Sequence, residues 1–233
     1  MSARILHSEA TDRGYTLIEM IVTLALVGGV IIGIFAAFQY GSRAFGQMIS
    51  RQGIQGEGQR IAAQLSRDVR LTHFRSVSVV TREISVTGST VRRDAVAMLS
   101  LDDWNDPASY DAVTGLPEWS RYVVYYVTNE PEGRLIRQVI DPVALIGENI
   151  RPYGDLSDNI SEDPAANDGV ISTTVLTRHV RSFSLSLDRE LQTVDGALFL
   201  QASMVRRAGS NQELEEPYES RFSLRALNTF PEL

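Results

Sequence analysis

The sequence has no cysteine and no lysine: all 22 basic residues among its 233 are arginine. Without cysteine there can be no disulfide, no thiolate nucleophile and no cysteine-bearing metal site. The exclusive use of arginine is read as a mark of genome composition, since no physical constraint on the chain demands it. Positive charge is nowhere concentrated into a stripe. With 29 acidic residues the formal net charge is -7, so the electrostatic footprint of a nucleic-acid binder is missing and no nucleic-acid partner is expected. Histidine occurs three times, as His7, His73 and His179, and none sits in a catalytic motif. The GxSxG elbow, the P-loop, the HExxH helix and the dinucleotide fingerprint are all absent. The expectation is a protein that is not an enzyme and needs no cofactor or metal.

What the chain does have is a long lipid-soluble run, "RGYTLIEMIVTLALVGGVIIGIFAAF", Arg13 to Phe38. From Met20 to Phe38 there are 19 consecutive residues without formal charge. At about 1.5 Å per residue they reach about 28 Å, close to the hydrocarbon thickness of a bilayer. A buried core helix is usually shorter and keeps a polar face, which this run lacks. A cleaved secretory signal is the nearer rival, because Arg4 and Arg13 precede the run. Its cleavage site is poor: "FAAF" lacks the small-x-small pattern, and Ser42-Arg43-Ala44 is a weak substitute. The preceding "MSARILHSEATDRG" has no apolar core of its own and stops at a glycine directly before the hydrophobic run.

Gly14 followed by Tyr15-Thr16-Leu17-Ile18-Glu19 and an unbroken apolar span resembles the processing and methylation motif of type IV pilins and type II secretion pseudopilins. The likeness covers about the first 50 residues, with tyrosine where phenylalanine is commonest in that family. It implies that a prepilin peptidase cuts between Gly14 and Tyr15 and that Tyr15 becomes N-methylated. It also implies a single pass through the inner membrane lipid with the C-terminal domain in the periplasm. Arg4 and Arg13 before the span are nearly balanced by Arg43 and Arg51 after it, so orientation rests on the resemblance alone.

Glu19 is the one charge that needs an explanation. A carboxylate at membrane depth costs about 3 kcal/mol on insertion scales, so it is usually paired. Cleavage after Gly14 would create an amine on Tyr15, about one helical turn away. Glu19 could neutralise its own amine or that of an adjacent subunit, and the resemblance implies the second, which sets register during filament assembly. A carboxylate that simply stays hydrated at the interface is the plainer alternative. Gly29 and Gly33 have the small-xxx-small spacing that lets helices approach, although glycine is common in membrane helices anyway.

Beyond Phe38 helical spacing persists in Phe45, Met48, Ile49, Ile54, Ile61, Leu65 and Val69, predicting an amphipathic helix that lays one stripe against a sheet, with Gly53, Gly56 and Gly58 as a kink. After it come nine β-rich stretches, starting at Ser76, Glu83, Asp94, Arg121, Arg134, Gly169, Val180, Ala197 and Ser220. Arg121 to Ile140 predicts a hairpin turning at Asn129 to Gly133. The fold class is therefore α+β, a long N-terminal helix packed on an antiparallel sheet, which the resemblance makes pilin-like. The expected divisions are a leader at 1–14, a transmembrane helix at 15–38, an amphipathic helix at 39–72 and a β-rich periplasmic domain at 73–233. The strand, turn and arginine-flanked strand of the hairpin resemble the J-type minor pseudopilins and the W-type minor pilins.

Two long connections are candidates for function. Leu101 to Ser120 holds Trp104, Tyr110 and Trp119, which either meet a neighbouring subunit or cover the core edge. Asp141 to Asp168 holds Asp155, Asp158, Glu162, Asp163 and Asp168, enough oxygen ligands for calcium but without EF-hand spacing. A solvated acidic loop is the default there.

The leading expectation is a minor pseudopilin that helps initiate or cap a periplasmic pseudopilus, with prepilin peptidase and other minor and major pseudopilins or pilins as partners. A minor pilin of a type IV pilus is the alternative within the same resemblance, and the absence of cysteine leans toward a pseudopilin because many pilins carry a C-terminal disulfide loop. A signal-anchored periplasmic binding or enzymatic domain is the alternative of a different class, and it predicts an uncut Gly14-Tyr15 bond.

Overall fold

The structure, a computed structural model, describes residues 15–86, 88–141, 150–154, 156–157, 160, 163–203 and 215–229. Residues 1–14, with Gly14, lie outside them. The chain divides into two compact units, Met1–Ile49 and Ser50–Leu233. A single helix, α1, runs from Leu17 to Leu71 over 55 residues.

In the second unit α1 buries Ile54, Gly58, Ile61, Leu65 and Val69. Their spacing of three and four residues makes one stripe, and the four aliphatic side chains join the sheet in one hydrophobic cluster. Each contributes about 2 kcal/mol by leaving water. The expected stripe is too long at its start, since Phe45, Met48 and Ile49 are each more than half exposed. Sheet partners begin only at Ile54. α1 continues through the three glycines at which a kink was expected, and Gly58 admits the ring of Tyr218, where a Cβ would overlap it.

Among the described residues nine strands follow: β1 (Ser78–Val80), β2 (Glu83–Val86), β3 (Ser89–Arg92), β4 (Ala95–Ser100), β5 (Arg121–Val127), β6 (Gly133–Ile140), β7 (Val170–Asp188), β8 (Thr193–Ser203) and β9 (Glu215–Arg225). Seven form one antiparallel sheet in the order β1-β4-β5-β6-β7-β8-β9, while β2 and β3 form a separate hairpin. One long N-terminal apolar helix and a large antiparallel sheet make the chain α+β. The β5–β6 hairpin pairs Val127 with Leu135 and Tyr122 with Ile140. Two expectations need correction. β3 has no counterpart among the expected strands, because "STVR" carries a single apolar residue. The stretches at Gly169 and Val180 are one strand of 19 residues; the polar residues between them stay in it because Thr177 pairs with Leu135 and donates its hydroxyl to Glu57 Oε2 of α1 at 2.7 Å.

The centre of the sheet is covered on both faces, which is why β5 is buried without alternation from Tyr122 to Val127. Val123, Tyr125 and Val127 face the α1 cluster. Tyr122, Val124 and Tyr126 face a second cluster with Trp119, Leu156 and the long connections. Buried polar groups fasten these layers. Gln138 donates to the Pro164 carbonyl at 2.7 Å and accepts from Asn167 Nδ2 at 2.7 Å, clamping the second connection to the sheet.

The β2–β3 hairpin is held by the run Arg92-Arg93-Asp94. The Asp94 carboxylate accepts from Arg92 Nε at 2.7 Å and from the Leu185 amide at 2.7 Å. Arg93 is fully buried, and its guanidinium donates to the carbonyls of Thr128, Glu130, Pro131, Val180 and Arg181. These bonds satisfy a buried cation through backbone dipoles of the β5–β6 turn and β7.

Candidate functional site

The first turn of α1 is a capping box. The Thr16 amide donates to Glu19 Oε2 at 2.9 Å, its hydroxyl donates to the same oxygen at 3.0 Å, and the Glu19 amide returns a bond to Thr16 Oγ1 at 3.4 Å. The Thr16 carbonyl accepts the first helical bond, from the Met20 amide at 3.2 Å. Amides that an α-helix start leaves without helical partners are thereby satisfied by the side chains of Thr16 and Glu19. Thr23 continues the pattern one turn on, its hydroxyl donating to the Glu19 carbonyl at 2.7 Å. The other carboxylate oxygen, Glu19 Oε1, makes no hydrogen bond among the described residues.

Of the residues picked out by sequence, Glu19 sits in this box and Tyr15 is 84% exposed just before it. Gly14 falls outside the described residues. Thr16 has no role assigned by sequence reasoning. Its signal was nevertheless present, since Thr-x-x-Glu ahead of an apolar run is the capping-box pattern.

From the box onward the helix shows apolar side chains on every side. Leu17, Leu24, Ile32 and Phe38 are each at least two-thirds exposed. A helix that is apolar all round needs an apolar surround. α1 is long and apolar enough to cross a membrane, and none of its most apolar window is buried. Gly28, Gly29 and Gly33 are open, with no atom near where a Cβ would stand.

The other singled-out residues have structural surroundings. Trp104 and Trp119 pack edge to face at 6.0 Å, and Tyr110 donates to the Trp104 carbonyl at 2.9 Å. The first connection thus covers the second cluster. In the acidic connection Asp155, Asp158 and Glu162 lie outside the described residues, whereas Asp163 caps a short 3-10 turn by accepting from the Ala165 amide at 3.1 Å. No group of three potential metal ligands occurs among the described residues. His73 is buried, and its Nδ1 accepts from the Arg75 amide at 3.2 Å. His179 is half-buried on β7.

The polar centre of the second unit is Asp68 on α1. Its Oδ2 accepts from the Tyr125 hydroxyl at 2.6 Å and from Arg137 Nε at 2.8 Å. Burial, reinforced by the Asp68 charge, pushes the Tyr125 hydroxyl far above the ordinary phenol range. Burial opposes the Arg137 charge, but the Asp68 carboxylate outweighs it and the guanidinium is held more firmly protonated. This trio fixes α1 against β5 and β6. No family of protein sequences, no curated protein and no solved structure matches the chain.

Proposed function

We propose that this chain is a minor pseudopilin, a non-enzymatic subunit that helps initiate or cap the periplasmic pseudopilus of a type II secretion system. The observation that carries the reading is one helix with two surroundings: α1 begins at a Thr16–Glu19 capping box, is exposed and apolar up to Ile49, and then lays a single stripe on an antiparallel sheet. A soluble domain has no use for the first part. A signal peptide removed after export has no use for a helix continuing into the core.

In this reading the apolar part of α1 sits in the inner membrane and later in the filament core, and the pilin-like sheet domain faces the periplasm. Prepilin peptidase frees the Tyr15 amine, which is then methylated. Glu19 Oε2 is occupied by Thr16, while Oε1 remains available to the amine of an incoming subunit. Such a pair would relieve the cost of about 3 kcal/mol that an unpaired carboxylate meets at membrane depth.

The test is the intact mass of the membrane-extracted protein, made with and without a prepilin peptidase. The expected result is loss of residues 1–14 and gain of one methyl group, dependent on the peptidase and blocked by Gly14→Val. An unchanged N-terminus would sink the proposal and leave a signal-anchored periplasmic domain in its place.

A further inference from the structure

Within the second unit, α1 carries arginines and two acids, and the fold sorts them by sign. Both acids turn to the sheet: Glu57 accepts from the Thr177 hydroxyl at 2.7 Å, and Asp68 holds Tyr125 and Arg137. Arg60, Arg67 and Arg70 are exposed, and every other exposed position from Gln52 to Arg70 is glutamine, glycine or alanine. Arg60 and Arg67 stand two turns apart on one side, about 10 Å along the axis, with Arg70 about one turn further. Arginines that are scattered along the sequence are thus gathered by the helix into a stripe of one sign. A helix face that serves solubility alone usually mixes its signs, because like charges three or four residues apart repel.

The opposite sign is gathered on the other face of the sheet. Residues 101–120 contain Asp102, Asp103, Asp106, Asp111 and Glu118 and no basic residue. Leu101 and Trp119 anchor this first connection in the second cluster, across β5 from the cluster that holds α1. Its backbone is ordered by its own bonds. The Asp106 amide donates to the Asp103 carbonyl at 3.4 Å, the Ser109 amide to the Asp106 carbonyl at 3.0 Å, and the Glu118 amide to the Ser109 carbonyl at 2.9 Å. Asp103, Asp106 and Glu118 are thereby held near one another, and all three are exposed. The other two carboxylates are committed, Asp102 to Arg121 and Asp111 to the amides of Val113 and Thr114.

We propose that the arginine stripe of α1 is a docking surface for a second copy of this chain, which presents Asp103, Asp106 and Glu118 of its first connection. The signs are complementary, and the sheet lies between the two surfaces, so they meet only between molecules. The contact is heterologous: each copy in a pair keeps one surface unused, and association continues into a row instead of closing. Exposed ion pairs are individually weak and screened by salt, so this contact selects partner and orientation more than it adds affinity. The inference uses the second unit alone and does not rest on the pseudopilin reading.

The test is sedimentation of the full chain in uncharged detergent micelles over a range of protein concentrations. Reversible growth beyond the pair is expected at about 20 mM salt, and its loss at about 500 mM. Two double variants change only exposed side chains: Arg60→Glu with Arg67→Glu, and Asp103→Arg with Glu118→Arg. Each is expected to melt like the parent and to self-associate about tenfold more weakly or worse, since like charges then face each other. Mixed together, the two variants are expected to associate again in alternation, because every contact between them pairs opposite signs. Absence of salt-sensitive association up to about 1 mM chain overturns the proposal. Self-association retained by either variant also overturns it, as does a mixture that fails to recover. Cleavage at Gly14 depends on neither surface, so failure here is distinct from failure of the pseudopilin reading.

Discussion

Asp68 and Arg137 meet at 2.8 Å between α1 and β6, with side-chain exposures of 10% and 20%. The Tyr125 hydroxyl joins the same carboxylate oxygen, so one acid on the helix holds two neighbouring strands. The two partners lie 69 residues apart in the chain, and their pairing fixes where α1 rests along the sheet.

Removing the acid should therefore cost more than a surface ion pair would. Asp68→Ala leaves a partly buried guanidinium and a buried phenol without their acceptor, and a loss of about 3 kcal/mol is expected. Urea unfolding of the detergent-solubilised protein checks this. A loss no larger than that of the exposed pair variant Glu219→Ala would mean that the trio does not hold α1.

The same trio sets a limit at alkaline pH. Tyr125 ionises near pH 10 when unfolded and well above that when folded, because burial and then the Asp68 charge disfavour the phenolate. A pKa raised by folding gives stability that is complete below the unfolded value and is surrendered as pH climbs toward the folded one. Stability should fall above about pH 10, and Tyr125→Phe should flatten the fall. Tyr122, raised chiefly by its own burial, keeps part of the slope. Equal slopes in parent and variant would contradict this assignment.

Gly58 and Tyr218 should behave as one unit. Alanine at Gly58 improves helix propensity by about 1 kcal/mol, yet its Cβ would overlap the Tyr218 ring. Overpacking of that kind costs about 1–3 kcal/mol. Gly58→Ala is expected to destabilise the parent and to become neutral or stabilising in a Tyr218→Ala background. A double-mutant cycle measures the difference, and additive effects would rule out the contact.

At the other end of α1, Thr16→Val removes the hydroxyl that bonds both ways with Glu19 while keeping the side chain's shape. Amide exchange across Leu17 to Met20 should quicken in micelles, as expected when a helix loses its cap. Thr16→Ser should restore slow exchange. Failure of serine to rescue would assign the effect to packing rather than to the box.

How far the sequence could be read follows from the range of each interaction. The apolar length of Met20 to Phe38, the stripe from Ile54 to Val69, and the β5–β6 hairpin with its Asn129 to Gly133 turn all depend on residues near one another in the chain, and each was legible. So was the α+β order of a long helix before strands. The capping box was equally local, and a Thr-x-x-Glu search would have exposed it.

Other features were decided by tertiary structure alone. "RRD" at 92–94 looks like a solvated charge cluster, yet Arg93 is wholly buried because carbonyls from the β5–β6 turn and from β7 converge on it. Gly58 reads as part of a kink until β9 brings Tyr218 against it. β7 reads as two strands until β6 pairs with one half and β8 with the other. By itself the sequence determined what each segment must do with its own backbone and its water-averse surface, because those demands are settled within a few residues. Which distant groups would meet, and so which polar residues could be buried, was decided only when the strands assembled, because those energies exist between partners and not within either one.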